Sequence, residues 1–315
     1  MVFKGGTSLS KVWGLISRFS EDIDLAIDRA VFSFKGDLTK KQVKKLRKAS
    51  SLFVRTDLLQ QLTEAVAETP LKALCQIEAQ PDGEGDSTYP EPRSIFIRYK
   101  SVFDDKLGYI PPIVKIEAGA RSLLEPFEES NIRSMVEEAC PNINTTILDS
   151  KVKTAVSEKT FLEKAYLLHE LFSVNNHVEA YRRSRHIYDL YMMMQQSIAE
   201  KAIANDGLWK TIHHHRSTLT SMSGVDYSTD IRKNIQLIPP KESMPDWEKD
   251  YEELSSAMIY GEKPVFEELL DCMSRLERLF RKALMMRCMT IKNKCHLSAD
   301  KLKKCFCVNF LHTLG

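Results

Sequence analysis

The chain has 315 residues, of which 43% are hydrophobic and 28% charged, and its formal net charge is +2. These values are typical of a globular protein with one large or two ordinary domains. A net charge this small gives no general affinity for nucleic acid, so any such binding must depend on local patches. No apolar run approaches the roughly 18 residues of a membrane span, and no signal-peptide pattern is present. We therefore expect a cytoplasmic protein.

A glycine-rich turn over residues 5–8 opens the first predicted element. Four apolar residues follow it at helical spacing: Leu9, Val12, Trp13 and Ile16. This spacing predicts an amphipathic helix. Backbone N–H groups at a glycine-rich helix start bind anions, of which phosphate is the usual one. Because the turn follows Met1 almost directly, we expect either that the fold begins here or that this start is internal to a longer frame.

Residues 22–27 read Asp-Ile-Asp-Leu-Ala-Ile and alternate in the manner of a strand. Successive side chains of a strand point to opposite faces, so Asp22 and Asp24 share one face, about 6 to 7 Å apart. Two carboxylates at that distance suit a hard cation such as Mg²⁺, which also takes phosphate oxygens. A phosphate-binding turn beside a carboxylate pair favours metal-assisted phosphoryl or nucleotidyl transfer. The alternative is an ordinary strand with two solvated acids.

The next predicted element is a helix over residues 38–68, with Asp37 as its N-cap. It carries a basic cluster that is largely one-sided: Lys40, Lys41, Lys44, Lys45, Arg47 and Lys48. Such a cluster is either a solvated face or a nucleic-acid contact. Pro70 ends the helix. Four strands are predicted after it, over residues 71–79, 94–102, 113–118 and 145–156.

The strand over residues 113–118 carries a further acid, Glu117. The alternation of this strand places Glu117 on one face with Lys115, opposite the apolar face. Glu117 either completes a carboxylate triad with Asp22 and Asp24, or is an exposed acid paired with Lys115 or Arg121.

From residue 157 onward the pattern is helical. A helix over residues 157–172 carries Lys164 in its apolar stripe. A lysine there is costly unless it is paired or reaches solvent at the helix edge. The next helix, over residues 178–196, carries Asp189 in an apolar run, four residues after Arg185. Asp189 either forms a surface pair with Arg185, or is partly buried and pairs with Lys164 across a shared cleft.

Three consecutive histidines at residues 213–215 have the composition of a metal-binding tract. Consecutive side chains point in different directions around a helix, so we do not expect these three to share a ligand. Two further amphipathic helices are predicted over residues 247–260 and 265–288.

Cysteines are concentrated near the end of the sequence, where five of the seven follow residue 271. Cys295-His296 and Cys305-Phe306-Cys307 contain zinc-ligand residue types, but no Cys-x-x-Cys pair occurs and the spacing matches no common zinc module. We therefore favour free thiols.

Four segments, taken in order, resemble the AbiEii/AbiGii-type nucleotidyltransferase toxins. The first is Phe3-Lys4-Gly5-Gly6-Thr7-Ser8-Leu9 with Arg18-Phe19-Ser20-Glu21-Asp22-Ile23-Asp24-Leu25. The others are Val114-Lys115-Ile116-Glu117, Glu163-Lys164-Ala165 and Arg185-His186-Ile187-Tyr188-Asp189-Leu190. Each segment alone is a weak signal, whereas the ordered combination is specific.

The resemblance implies an α+β fold, in which a polymerase-beta-like nucleotidyltransferase mixed sheet with helices is followed by a mostly helical C-terminal domain. On this basis we place the nucleotidyltransferase core at residues 1–156 and the helical domain at 157–289. Residues 290–315 form an irregular, cysteine-rich tail that has no counterpart in the resemblance.

The resemblance also implies transfer of a nucleotide from an NTP, with Mg²⁺, to an acceptor that is RNA and in particular the tRNA 3′ end. Such proteins are commonly the toxin of a toxin–antitoxin or phage-defence pair. A cognate antitoxin is therefore an expected partner, and a membrane is not.

Carried over by position, the resemblance assigns Mg²⁺ to Asp22 and Asp24. The implied nucleotide-binding residues are Gly5, Gly6, Thr7, Ser20, Lys164 and Arg185. The implied catalytic residues are Asp22, Asp24, Glu117, Lys164 and Asp189.

Two other functions are compatible with the sequence. One is a catalytically silent module that binds NTP or a partner, which predicts NTP binding without a transfer product. The other is a non-enzymatic RNA-binding protein that uses the basic face of residues 40–48. It predicts strongly salt-dependent RNA binding that survives Asp22→Ala.

Overall fold

The computed structural model describes residues 1–84, 88–101, 111–132, 134–140, 150–174 and 178–294. Its strands are β1 (Val2–Lys4), β2 (Asp22–Ala26), β3 (Cys75–Ala79), β4 (Arg93–Tyr99), β5 (Ile113–Gly119), β6 (Phe127–Ile132) and β7 (Ser150–Ala155). Its helices are α1 (Gly5–Lys11), α2 (Lys40–Phe53), α3 (Leu59–Ala67), α4 (Met135–Ala139), α5 (Ser157–Phe172), α6 (Ser184–Met194), α7 (Ile198–Ala204), α8 (Asp206–His215), α9 (Met244–Ala257) and α10 (Phe266–Lys294).

The strands form one mixed sheet in the order β3-β4-β5-β2-β1-β7-β6. Strand β2 pairs in parallel with β5, and β1 in parallel with β7, while the other neighbours are antiparallel. The described elements after β7 are helical, so the predicted α+β class is confirmed. The division at residue 156 itself stays a prediction.

One face of the sheet packs against α2 and α3. Ile23 and Leu25 of β2 join that apolar core, together with the fully buried Leu46 and Ile95. Because side chains alternate along a strand, Asp22 and Asp24 of β2 lie on the opposite face. The predicted alternation of this strand is therefore correct, and its acids face the helices that follow β7.

Those helices enclose the larger apolar core, which contains the fully buried side chains of Phe161, Tyr166, Tyr188 and Trp247. Fully burying one such large side chain stabilises the fold by about 1.5–3 kcal/mol. Leu9, Leu15 and Ile16 also belong to this core. Residues 17–19 hydrogen-bond to residues 258–261, where Phe19 N lies 2.7 Å from Met258 O. The first twenty residues thus join the sheet to the helices.

Several predicted helix boundaries are wrong; α9 spans Met244–Ala257 and not 247–260, and α10 ends at Lys294 and not at residue 288. Helix α1 ends at Lys11 rather than continuing to Ile16, because Gly14 adopts a left-handed conformation with φ +59°. Helix α2 is capped by Thr39, which forms a reciprocal capping box with Gln42, and not by Asp37. A π-helical turn at Val54–Leu58 then separates α2 from α3.

Another wrong boundary is the start of α6, which begins at Ser184 and not at residue 178. Arg182 has φ +58°, a left-handed conformation that a helix cannot contain. Asp250 of α9 accepts hydrogen bonds from the backbone N–H of Arg182 at 2.5 Å and of Ser184 at 2.9 Å. A residue distant in sequence therefore caps α6, and the local pattern could not predict it.

Strand β3 starts at Cys75, after a 3₁₀ turn at Pro70–Ala73, and neither β1 nor β6 was predicted. Within the part of the chain that is described, no helix is long and apolar enough to cross a membrane. Cys75, Cys140 and Cys272 are free thiols. The expectations for Cys295-His296 and Cys305-Phe306-Cys307 lie outside the described residues.

Candidate active site

A cleft of about 260 Å³ lies between the acid-bearing face of the sheet and helices α5 and α6. Its lining residues are Lys4, Gly5, Gly6, Arg18, Ser20, Asp22, Asp24, Glu117, Thr160, Glu163, Lys164, Leu167, Arg185, His186 and Arg216. Most of the residues assigned from the sequence are in this set. Thr7 and Asp189 are not in the lining, but each contacts a residue that is: Thr7 contacts Asp22, and Asp189 contacts Lys164.

Asp24 is at the centre of a row of charged residues across three strands. In the register of the sheet it pairs with Lys4 of β1 on one side and with Glu117 of β5 on the other. Lys115 Nζ lies 2.5 Å from Glu117 Oε1. Glu117 therefore both lines the cleft and has the Lys115 partner that was expected of an ordinary surface acid. Arg121 pairs instead with Glu91.

The glycine turn packs directly against these acids. Gly5 has φ +79°, and a Cβ atom added to it would collide with the carboxylate of Asp24. A Cβ atom on Gly6 would lie 2.5 Å from Arg18 Nη2. Thr7 Oγ1 lies 2.9 Å from Ser20 Oγ and donates to the carbonyl of Asp22. The turn thus needs glycine for its conformation and for close approach, and Thr7 fixes it to the start of β2.

Asp189 is fully buried and is bound by two cations. Arg18 donates to both carboxylate oxygens, from Nε at 2.7 Å and Nη2 at 2.8 Å, and Lys164 Nζ lies 2.9 Å away. Burial alone would raise the pKa of Asp189, but the two cations hold it well below its usual range. The predicted pairing of Lys164 with Asp189 is confirmed, and the expected surface alternatives for both are wrong.

Arg185 does not pair with Asp189. Its Nη1 lies 3.3 Å from Asp22 Oδ2, so it connects α6 to the acid pair of β2. Its neighbour Arg182 forms an ion pair with Glu21, directly before Asp22. Helix α6 and the residues directly before it are consequently joined to the start of β2 by two arginine–carboxylate contacts.

Arg18 is a central residue of the site that the sequence did not reveal. It is 2% exposed, and its contact with Asp189 bridges 171 positions of the chain. The one local signal was a cation between the apolar Ile16 and Phe19, and such a cation is normally buried only when paired. Burial lowers the pKa of Arg18, but Asp189 raises it by more, so the guanidinium stays charged.

His186 lies beside Lys164, with Nδ1 3.3 Å from Lys164 Nζ. Burial, and next the charges of Lys164 and Arg185, hold the pKa of His186 well below its usual value. The ring is therefore neutral at pH 7 and accepts from Lys164. Burial also lowers the pKa of Lys164, against the attraction of Asp189.

The opposite side of α5 brings in charges that the sequence reading did not assign. Glu163 Oε1 lies 3.2 Å from Lys159 Nζ. Arg216, which follows α8, donates from Nε to Glu170 Oε1 at 3.0 Å and also from Nη2 to Oε2. Burial would raise the pKa of Glu163, but the charges of Lys159 and Lys4 lower it by more than burial raises it. This carboxylate is therefore ionised.

The three histidines diverge, as predicted. His213 contacts the hydroxyl of Tyr166, and His214 Nε2 lies 2.7 Å from Asp37 Oδ1. Burial lowers the pKa of His215 to about 4. In the described segments no three His, Cys, Asp or Glu side chains are grouped so that they could hold a metal ion by themselves.

The site therefore combines two strand carboxylates, a close-packed glycine turn and helical cations around one cleft. Carboxylates of this kind bind a hard cation together with phosphate oxygens, and neighbouring cations neutralise polyphosphate. On a mixed sheet followed by helices, this arrangement defines the class of nucleotidyltransferases.

The family comparison agrees with this class. The model of the family "Nucleotidyl transferase AbiEii toxin, Type IV TA system" matches residues 1–274. The chain therefore belongs to the AbiEii family of nucleotidyltransferase toxins of type IV toxin–antitoxin systems, and the resemblance read from the four segments is confirmed. Membership implies an NTP substrate and a cognate antitoxin.

Among solved structures, the chain is similar to MenT4, a nucleotidyltransferase toxin from Mycobacterium tuberculosis H37Rv. The two share 17% sequence identity with a TM-score of 0.49, over 96% of this chain and 77% of that one. No curated protein matches the sequence significantly.

Proposed function

We propose that this nucleotidyltransferase uses Mg²⁺ to transfer a nucleotide from an NTP to a hydroxyl group of RNA, with the tRNA 3′ end as its acceptor. The observation that carries the proposal is the position of Asp22 and Asp24, which line one cleft together with Lys164 and Arg185. We also propose the division into a core at residues 1–156 and a helical domain from residue 157; α10 extends the helical part to Lys294, so the tail does not begin at residue 290 as predicted.

The residues of the cleft fit a bound Mg²⁺ ion. Mg²⁺ is usually held by one or two carboxylates, with the remaining positions filled by water and substrate phosphates. Asp22 and Asp24 supply such a pair, and the described residues offer no third ligand grouped with them. When bound, Mg²⁺ would neutralise charge on the reacting phosphates.

The protein's own groups would bind and orient the triphosphate. Lys164 is fixed between Asp189 and His186, and we assign it to the charge that develops on the leaving pyrophosphate. Arg185 contacts the nucleotide from its position beside Asp22. The turn of Gly5 and Gly6 brings the backbone close to the phosphates.

Three further assignments belong to the same proposal. Thr7 and Ser20 hold the glycine turn and the start of β2 in place around the nucleotide. Glu117, which pairs with Asp24 in the register of the sheet and lines the cleft, would serve as a third catalytic carboxylate that is not itself a metal ligand. Asp189 contributes to catalysis by holding Lys164.

Transfer of label from each of the four NTPs, with Mg²⁺ and total tRNA, tests the proposal. We expect the wild type to label tRNA 3′ ends and Asp24→Asn to lose at least about a hundredfold in rate, since removing a metal carboxylate costs several kcal/mol. Asp57→Asn, an exposed acid next to α3, is the matched control and keeps full activity.

Equal transfer by Asp24→Asn and wild type would disprove the assignment of the acid pair. NTP binding without any transfer would favour a silent binding module. Label on a protein rather than on RNA would disprove the proposed acceptor.

A further inference from the structure

The cleft has two ends with different chemistry, separated by the stripe of α5 that lines the cleft. At about 100° per residue, Thr160 and Leu167 lie near the middle of that stripe, and Lys164 and Glu163 lie on its two sides. The Lys164 side faces α6 through Asp189. The Glu163 side faces Arg216, which follows α8 and is bound to Glu170 of α5.

At the Glu163 side the charged groups of α5 and Arg216 form matched ion pairs, with Lys4 of β1 as a further nearby cation. Glu163 is paired with Lys159, and Arg216 with Glu170. On the other side a single carboxylate, Asp189, is shared by two cations and leaves a net positive charge for phosphate. The Glu163 side is therefore better suited to the uncharged part of a nucleotide.

The supports of this side are deeply buried. Lys159 is 0% exposed and Glu170 is 2% exposed. Tyr227 donates a hydrogen bond to Glu170 Oε1 at 2.6 Å. Burying charged groups is costly unless each one is paired. The pairs hold the Glu163 carboxylate and the Arg216 guanidinium in fixed positions at the cleft wall.

The hydroxyl of Thr160 in this wall has no hydrogen-bond partner among the described residues. Thr160 is 3% exposed and lines the cleft. A buried hydroxyl without a partner costs free energy, which a ligand atom in the cleft can remove. Leu167 adds an apolar contact beside it.

We propose that Glu163, Leu167 and Arg216 form the nucleoside subsite of this enzyme. The base packs on Leu167 and on the plane of the Arg216 guanidinium, a surface on which nucleobases commonly stack. The Glu163 carboxylate accepts hydrogen bonds from the ribose hydroxyls and thereby selects ribonucleotides over 2′-deoxyribonucleotides. This subsite rests on the proposed function, because it requires that an NTP occupies the cleft.

Equilibrium binding measured without an RNA acceptor distinguishes the contributions that the two ends of the cleft make to nucleotide affinity. Calorimetric titrations with Mg²⁺ would use each NTP, its 2′-deoxy counterpart and inorganic tripolyphosphate. We expect the wild type to bind its preferred NTP about tenfold more tightly than the 2′-deoxy form, the size of one hydrogen bond to a charged group. Glu163→Gln should reduce that ratio to below about threefold and leave the affinity for tripolyphosphate unchanged.

Two more variants keep the test decisive if Glu163→Gln folds poorly. Leu167→Ala should weaken NTP and 2′-deoxy-NTP equally, by roughly threefold to tenfold, without changing tripolyphosphate binding. Glu158→Gln, on the same helix but outside the cleft lining, should leave all three affinities unchanged.

An unchanged ratio in Glu163→Gln, or a parallel loss of tripolyphosphate affinity in either cleft variant, would overturn the nucleoside subsite while leaving the proposed function intact. A wild type that binds neither NTP nor tripolyphosphate would overturn both.

Discussion

The molecule places its key acids in two contrasting environments. Asp22 and Asp24 lie on strand β2 and line an open cleft, and Asp22 has one cation at 3.3 Å. Asp189 is 0% exposed and is bound by Arg18 and Lys164 at 2.7–2.9 Å. The strand acids thus have oxygens available to a ligand, whereas those of Asp189 are occupied by protein cations.

This difference separates two roles that the sequence could not distinguish. A carboxylate that binds metal must keep free oxygens facing the substrate. A carboxylate with saturated oxygens positions its partners instead. We infer that Asp189 serves the site by fixing Lys164 and Arg18, which both line the cleft.

Removing the buried acid should have the largest effect on stability. Asp189→Asn leaves Arg18 and Lys164 buried without their counter-charge, and breaking such a group costs about 3–5 kcal/mol of the free energy of unfolding. Urea denaturation of Asp189→Asn beside Asp24→Asn measures the contrast, since the strand variant should lose less than about 1 kcal/mol. Similar losses in the two variants would contradict the comparison.

The neutral His186 should make stability depend on pH. Its native pKa is depressed, so below about pH 6.5 the unfolded chain binds a proton that the native ring does not. Stability should therefore fall as pH falls from 7 to 5, by at most about 1.4 kcal/mol per pH unit from this residue.

His186→Asn keeps an acceptor for Lys164 and should reduce the slope of the free energy of unfolding between pH 6.5 and 5, leaving the contributions of His169 and His215, whose pKa values burial also lowers. Thr211→Ala, at an exposed position of α8, serves as the control. It should change the free energy of unfolding by the same amount at every pH and leave the slope with pH unchanged. A slope in His186→Asn as steep as that of the wild type would disprove the assignment.

The smallest effect is expected at the pair of Lys115 and Glu117. Both side chains are partly exposed, at 34% and 27%, and pairs in such surroundings contribute about 0–1 kcal/mol. Lys115→Met should therefore change the midpoint of urea denaturation only slightly. If Lys115→Met lowered the free energy of unfolding as much as Asp189→Asn does, the ion pair on the strand face would be as important for stability as the buried one, and the comparison would be wrong.

Much of the site was predictable from local pattern. The alternation of β2 correctly placed Asp22 and Asp24 on the face opposite Ile23 and Leu25. The charges of Lys164 and Asp189 within apolar stripes indicated burial and mutual pairing as one of two alternatives, and the structure confirms that one. In both cases the signal is periodicity, which follows from backbone geometry alone.

Other features could not be predicted from the sequence because they depend on contacts between distant segments. The capping of α6 by Asp250 and the pairing of Arg18 with Asp189 have no local signature. Arg216 similarly acquires its role from Glu170, 46 positions earlier. An isolated arginine in the sequence does not show whether it will be solvated or buried.

The sequence by itself determined the α+β class, the ordered segments that identify the family, and which residues carry charge on otherwise apolar faces. Hydrophobic periodicity and residue chemistry suffice for these conclusions. Only the tertiary structure decided which charges meet, because burial makes an unpaired charge costly and forces each one to find a partner wherever the fold supplies it. In the folded protein Asp189 is therefore bound by Arg18 and Lys164, whereas Asp22 and Asp24 face the cleft.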